Sequence, residues 1–213
     1  MTEDNQIARH IALSLLNIGA IKLNLDEPFT WASGWKSPIY CDNRKTLSFP
    51  EIRTTLCDSF TELIRKRYPS VQGIAGVATG AIAHGALVAD KMNLPFIYIR
   101  SSAKGHGLEN LIEGYFEPNQ KFVIIEDLIS TGGSSLNAVN ALRNAGCEVL
   151  GMLAIFSYGF PVAVDNFSQA KCSLDTLSNY ESLIEVASET GYISSDEINT
   201  LKEWRKAPDC WKQ

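Results

Sequence analysis

Little in this chain points away from the cytosol. The five cysteines, Cys41, Cys57, Cys147, Cys172 and Cys210, are scattered, odd in number and without a CxxC spacing, and read as reduced thiols. No apolar run approaches the ~18 residues that a membrane span needs. No lipidation signal is present and Met1 to Gln6 is polar and acidic, so neither export nor membrane insertion is expected. There is no basic surplus: the formal charge is −5 and the pI about 5.3. Nucleic acid is therefore not an expected partner, although a local cationic pocket is compatible with that balance. Proline-, glycine- or serine-rich linkers, repeats and low-complexity tracts are absent too. What remains, 213 residues with 45% apolar content, fits a single α/β domain spanning 1–213, soluble and cytoplasmic.

Apolar residues at Ile7, Ile11, Leu15 and Ile18 mark one face of an opening helix that closes at Gly19. The stretch up to about residue 45 mixes short extended pieces with Pro28, Gly34 and Pro38, which predicts a small β-rich hood over a core of residues 46–213. Ser48 and Glu51 have the spacing of a capping box before a helix carrying Leu56, Phe60 and Ile64. From there strands (73–78, 96–100, 121–126, 149–156) alternate with helices (82–93, 134–145). That alternation predicts right-handed crossovers and a central parallel sheet flanked by helices. Beyond it come short helices at 162–170 and 181–190, a strand at 172–177, and a last helix opened by a Ser194–Glu197 capping box.

The chemistry concentrates in VIIEDLISTGGSS, Val123 to Ser135. A short apolar run reads as a strand covered on both faces, so its end emerges at the sheet's carboxyl edge, where ligands of open α/β sheets sit. The following helix offers unpaired N–H groups and its positive dipole end to a phosphate. Gly132 and Gly133 permit close approach, and Ser130, Thr131 and Ser134 add hydroxyl donors. Glu126 and Asp127 repel phosphate and must face ribose hydroxyls or a Mg²⁺ ion that bridges ligand oxygens. The plainer alternative is a tight strand-to-helix turn with Thr131 as N-cap and solvated acids.

Two further segments carry charge or backbone donors. GVATGA, Gly76 to Ala81, follows a strand and precedes a helix, so its N–H groups could form an anion nest, as could any ordinary turn of that kind. Arg100, Lys104 and His106 lie where periodicity vanishes, in a Gly- and Ser-rich stretch of about 101–114 that reads as a long cationic loop.

The glycine-rich segment resembles the phosphoribosyl-diphosphate motif of the type I phosphoribosyltransferases. Joined to FTWASG (29–34), SPIYCDNR (37–44), RSSAKGHG (100–107) and IFSYGFP (155–161), it is similar to the orotate phosphoribosyltransferases over nearly the whole chain, particularly the branch typified by Gram-positive bacteria. The resemblance implies the type I phosphoribosyltransferase fold with its N-terminal hood, and transfer of the phosphoribosyl group of 5-phospho-α-D-ribose 1-diphosphate to orotate. It implies a Mg²⁺ cofactor held mainly by substrate, with Glu126 and Asp127 as the protein-side candidates. It implies a homodimer in which the loop acts in the neighbouring subunit: Lys104 on the departing diphosphate, Arg100 and His106 as further contacts. Ala78, Thr79 and Gly80 would form the diphosphate loop. Glu126, Asp127, Leu128, Ile129, Ser130, Thr131, Gly132, Gly133 and Ser134 would hold the ribose and its 5′-phosphate.

For orotate the resemblance implies Ser130, with Tyr40 near the ring and Lys36 as a cation; for Tyr40, Trp31 and Trp35, packing remains an equal reading. Several positions depart from relatives. Gly80 and Ala32 stand where some carry Lys, Ser101 and Ser102 where a further Lys is frequent, and Tyr158 lies near the place of an Arg. The length leaves no room for the second catalytic domain of the family's fused form. Two rivals are a purine-specific relative and a regulator that binds RNA or DNA without catalysis, the latter needing a basic face that the sequence does not display.

Overall fold

A computed structural model describes residues 3–31, 33–100 and 111–212. In chain order the first elements are α1 (Glu3–Asn17), β1 (Ile21–Leu23), β2 (Phe29–Thr30), β3 (Lys36–Ser37), β4 (Ile39–Cys41) and a 3₁₀ turn (Asn43–Ser48). Next come α2 (Pro50–Arg67), β5 (Gly73–Val77), α3 (Ile82–Met92), β6 (Phe96–Ile99), β7 (Ile112–Glu113), β8 (Lys121–Ile129) and α4 (Gly133–Asn144). The chain finishes with β9 (Glu148–Ser157), α5 (Pro161–Gln169), β10 (Leu174–Asn179), α6 (Tyr180–Glu189) and α7 (Ser195–Lys206). None of the described helices is long and apolar enough to cross a membrane.

The chain divides into two compact units, 47–177 and 1–46 with 178–213. The first holds a six-stranded sheet in the order β10-β9-β8-β5-β6-β7, parallel through β9-β8-β5-β6 and antiparallel at β6-β7. Strand β5 is buried at every residue, and so is β8 from Phe122 to Glu126, as expected of parallel strands covered on both faces. Ile124, Phe122, Val139, Leu142 and Met152 form the packed centre on one side. Because β6 and β8 both pair with β5, the chain leaves β5 in one direction and returns on its other side. The crevice at the carboxyl ends of β5 and β8 is the topological switch point, where such sheets bind ligands.

In the second unit β1 pairs with β4 and β2 with β3, both antiparallel, giving the expected β-rich hood. It is knit to the C-terminal helices: Arg9 of α1 bonds Glu185 at 2.9 Å and also Glu189 on α6, and Ser178 Oγ donates to the Ala8 carbonyl at 2.8 Å. Trp204 is fully buried, edge-on to Trp31 at 5.8 Å, while Trp31 Nε1 donates to the Ile39 carbonyl at 3.0 Å. Trp31 thus has a packing role.

Several boundaries differ from expectation; the strand expected at 172–177, for one, is β10 at Leu174–Asn179. The Ser48–Glu51 capping box does not form: Phe49 is the N-cap without a side-chain bond, and Pro50, whose fixed φ suits the first helical turn, sets the start. The Ser194–Glu197 box is present in both halves. The loop expected over 101–114 closes earlier, since Ile112 and Glu113 already pair with β6 and the Arg100 N–H donates to the Leu111 carbonyl at 2.8 Å. Strand β8 runs three residues beyond Glu126, with Leu128 opposite Phe156 and Ile129 opposite Ser157. The acids therefore sit within the strand's end rather than in the turn after it.

Candidate active site

A cavity of about 330 Å³ lies at the switch point, lined among others by Ala78, Arg100, Glu126, Asp127, Ser130 and Thr131. Val77, Leu128, Gly132, Ser134, Ser135 and Ala138 complete the wall. The end of β5, the residue after β6, the end of β8 and the first turns of α4 thus converge on one space. Of the residues expected to hold the phosphorylated sugar, Ile129 and Gly133 are absent from the wall. The Ile129 side chain is fully buried and its carbonyl accepts from the Tyr158 N–H at 3.1 Å. Thr79 and Gly80 also lie off it, beside Ala78, whose peptide bond to Thr79 is cis.

The turn into α4 is built by Gly132, which takes φ +81° as the helix N-cap, so neither Thr131 nor Ser134 begins the helix. A Cβ at Gly132 would also come within 2.8 Å of the Phe167 ring, which excludes a side chain on steric as well as conformational grounds. The N–H groups of the first helical turn have no intrahelical acceptor and, with the Thr131 and Ser134 hydroxyls on the wall, make an anion-binding surface.

Glu126 is 5% exposed. One carboxylate oxygen accepts from Ser135 Oγ at 2.8 Å, the other from the Asp127 N–H at 2.9 Å. Burial, and then the neighbouring Asp127 carboxylate, push its pKa up to about 8. The acid pair thus carries less negative charge near neutrality than two ordinary carboxylates. Ser135 was not anticipated from sequence. It closes the VIIEDLISTGGSS segment, where the sequence assigns it no role, two residues after Gly133.

Asp127 explains Gly80. A Cβ at Gly80 would overlap the Asp127 carboxylate, so a side chain there requires that carboxylate to shift. Arg100, expected with the loop to act in the neighbouring subunit, instead lies on this chain's own wall, because its N–H continues the β6 pairing to the Leu111 carbonyl; among the described residues it is the cation there. Its Nη1 is buried, 3.5 Å from Glu113 Oε1, an ion pair outside hydrogen-bond geometry. Lys104 and His106 lie outside the described residues, as does Ala32.

The two remaining candidates belong to the hood unit. Lys36 Nζ donates to Thr30 Oγ1 at 2.9 Å, and Tyr40 is 39% exposed with its ring tilted against Phe29 at 5.6 Å. Tyr158, in the region where some relatives carry Arg, is buried between Phe156 and Phe160, stacked on Phe160 at 5.4 Å. Among the described residues no group of three His, Cys, Asp or Glu side chains could hold a metal. A Mg²⁺ ion fits this donor set only in its usual manner, through one or two carboxylates together with substrate phosphates and water.

Residues 60–188 match the phosphoribosyl transferase domain family. The chain is 60% identical to the orotate phosphoribosyltransferase of Bacteroides thetaiotaomicron over 96% of its own length and 97% of that protein's. It is 58% identical to that of Porphyromonas gingivalis, covering 96% and 98%. The crystal structure of orotate phosphoribosyltransferase from Aeropyrum pernix, 25% identical, superposes with a TM-score of 0.75 over 86% of this chain and 99% of that one. By sequence along nearly all its length and by the architecture that shapes its cavity, this chain belongs to the orotate phosphoribosyltransferase family.

Proposed function

We infer that the protein transfers the phosphoribosyl group of 5-phospho-α-D-ribose 1-diphosphate to orotate, forming orotidine 5′-phosphate and diphosphate in pyrimidine synthesis. The observation that carries this reading is the switch-point cavity, which joins the α4 N-terminus and its hydroxyls to a strand-end acid pair and Arg100. The 5′-phosphate is assigned to the turn from Ser130 to Ser134, where N–H groups converge. Glu126 and Asp127 face the ribose hydroxyls. The Ala78–Gly80 turn and Arg100 receive the diphosphate.

In the reaction an orotate ring nitrogen, its N–H proton released to water, attacks the anomeric carbon. The bond from that carbon to the diphosphate oxygen breaks, and its electron pair leaves with the diphosphate. Positive charge grows on the ribose and negative charge on the leaving oxygens, so fixed cations and exclusion of water lower the barrier. No protein nucleophile is needed. Mg²⁺, when bound with the substrate, supplies charge neutralisation of the diphosphate, with Asp127 and Glu126 as its protein-side neighbours. Lys104 and His106 are assigned to the diphosphate of the neighbouring subunit in a homodimer, on the strength of the RSSAKGHG segment alone.

Ser130, on the cavity wall, is assigned to orotate; the assignment of Lys36 and Tyr40, in the other unit, rests on the sequence resemblance alone. Compatible with that assignment, Lys36 bonds a neutral hydroxyl, leaving its charge for a carboxylate ligand, and Tyr40 is partly open to solvent. A cytoplasmic location accords with five cysteines that are not in disulfides.

The test follows loss of orotate's ultraviolet absorbance with the ribose diphosphate, with and without Mg²⁺, and repeats it with uracil and hypoxanthine. Turnover of orotate alone, dependent on Mg²⁺, is expected. Equal or better use of hypoxanthine would make the protein a purine enzyme instead.

A further inference from the structure

We propose that Asn166, on α5 and off the cavity wall, is a positioning residue that aims the backbone of the phosphate turn. Its Nδ2 donates to the Thr131 carbonyl at 3.0 Å. A carbonyl only accepts, so the amide nitrogen must be the atom that faces it, and the orientation of the Asn side chain follows from chemistry. In a planar trans peptide the carbonyl of one residue and the N–H of the next point in opposite directions. Holding the Thr131 carbonyl toward α5 therefore turns the Gly132 N–H the other way. Thr131 and Gly132 both line the cavity, whereas Asn166 and Phe167 do not.

The neighbouring residue reinforces this. Phe167 packs against Gly132 so closely that a Cβ there would lie 2.8 Å from its ring, so consecutive residues of α5 grip consecutive residues of the turn. One supplies shape and the other supplies direction. The Thr131–Gly132 peptide lies between strand β8 and helix α4 and draws on neither for its orientation, since the first helical hydrogen bond is from the Leu136 N–H to the Gly132 carbonyl at 2.9 Å. Without the Asn166 amide this peptide is free to rotate, and a rotated peptide would present a carbonyl rather than an N–H to the phosphate.

This inference rests on the assignment of the 5′-phosphate to the turn. Its consequence is selective: Asn166 should matter to ligands that carry a 5′-phosphate and not to those that occupy only the diphosphate side. Asn166→Leu removes the donor while keeping the γ-branched shape and adding no charge, and Asn166→Gln keeps an amide one methylene away. Calorimetric titration with ribose 5-phosphate and, separately, with inorganic diphosphate and Mg²⁺ reads the difference. We expect Asn166→Leu to weaken ribose 5-phosphate about tenfold to a hundredfold, with diphosphate changed less than about twofold and Asn166→Gln falling between the variant and the wild type. Should Asn166→Leu fold poorly, Asn166→Ala is measured with the same pair of ligands. Equal loss of both ligands would mean a merely structural role, and unchanged ribose 5-phosphate binding would remove the role altogether. If the wild type itself fails to bind ribose 5-phosphate, the assignment of the turn falls first.

Discussion

Replacing Glu126 by Gln should flatten the dependence of stability on pH. The carboxyl is buried, bonded to Ser135 and to the Asp127 N–H, and its pKa is raised from 4.5 to about 8. Each pH unit of such a difference is worth about 1.4 kcal/mol. A raised folded-state pKa means that the native chain holds the proton more tightly than the unfolded chain between those two values. The stabilisation is complete below about pH 4.5 and is lost as pH rises toward about 8. Between about pH 5 and about pH 8 the wild type should therefore lose about 3 kcal/mol that the Gln variant, which cannot ionise, does not lose.

The assay is urea unfolding of the ligand-free proteins at several pH values, with the free-energy difference between variant and wild type plotted against pH. Contributions of titrating groups that do not interact with Glu126 cancel in that difference. Asp127→Asn should give a smaller change in the same direction, because the Asp127 charge is the second cause of the shift after burial. A variant-minus-wild-type difference constant to within about 1 kcal/mol across the range would refute the claim that Glu126 is folded in as a high-pKa acid.

Other perturbations test separate parts of the site. Lys104→Ala should lower turnover by about 10²- to 10³-fold, by analogy with loss of one oxyanion donor, and near-normal turnover in steady-state assays would remove Lys104 from the mechanism. Gly80→Lys, which installs the cation that some relatives carry, should raise the KM for the ribose diphosphate by about tenfold or more, because its Cβ would displace the Asp127 carboxylate; a lower KM would show that the acid moves at no cost. Gly132→Ala combines a left-handed φ of +81° with a Cβ 2.8 Å from Phe167 and should cost about 2–4 kcal/mol in urea unfolding, part of it recovered when Phe167→Ala is added.

The strand-helix alternation was readable because each core strand is a short apolar run and each helix repeats apolar residues at helical spacing. The position of the glycine-rich turn followed from the same pattern. What escaped the sequence is instructive in physical terms. The apolar run ends at Ile125, yet β8 continues to Ile129, because ladder bonds to β9 persist past the acids. That continuation buries Glu126 against Ser135, a pairing across nine residues that no periodicity announces. The two-residue strand β7 is too short to show a period. Asn166 acts on Thr131 from 35 residues away through a single amide. The grouping of 178–213 with 1–46 depends on contacts such as Arg9 to Glu185, whose separation of 176 residues leaves no local trace.

The most direct measurement is a crystal structure of the protein soaked with 5-phospho-α-D-ribose 1-diphosphate and Mg²⁺. The account predicts the 5′-phosphate against the N–H groups and hydroxyls of the turn from Ser130 to Ser134, with the ribose hydroxyls toward Glu126 and Asp127. A sugar bound elsewhere, with that turn empty and the acids unengaged, would contradict it.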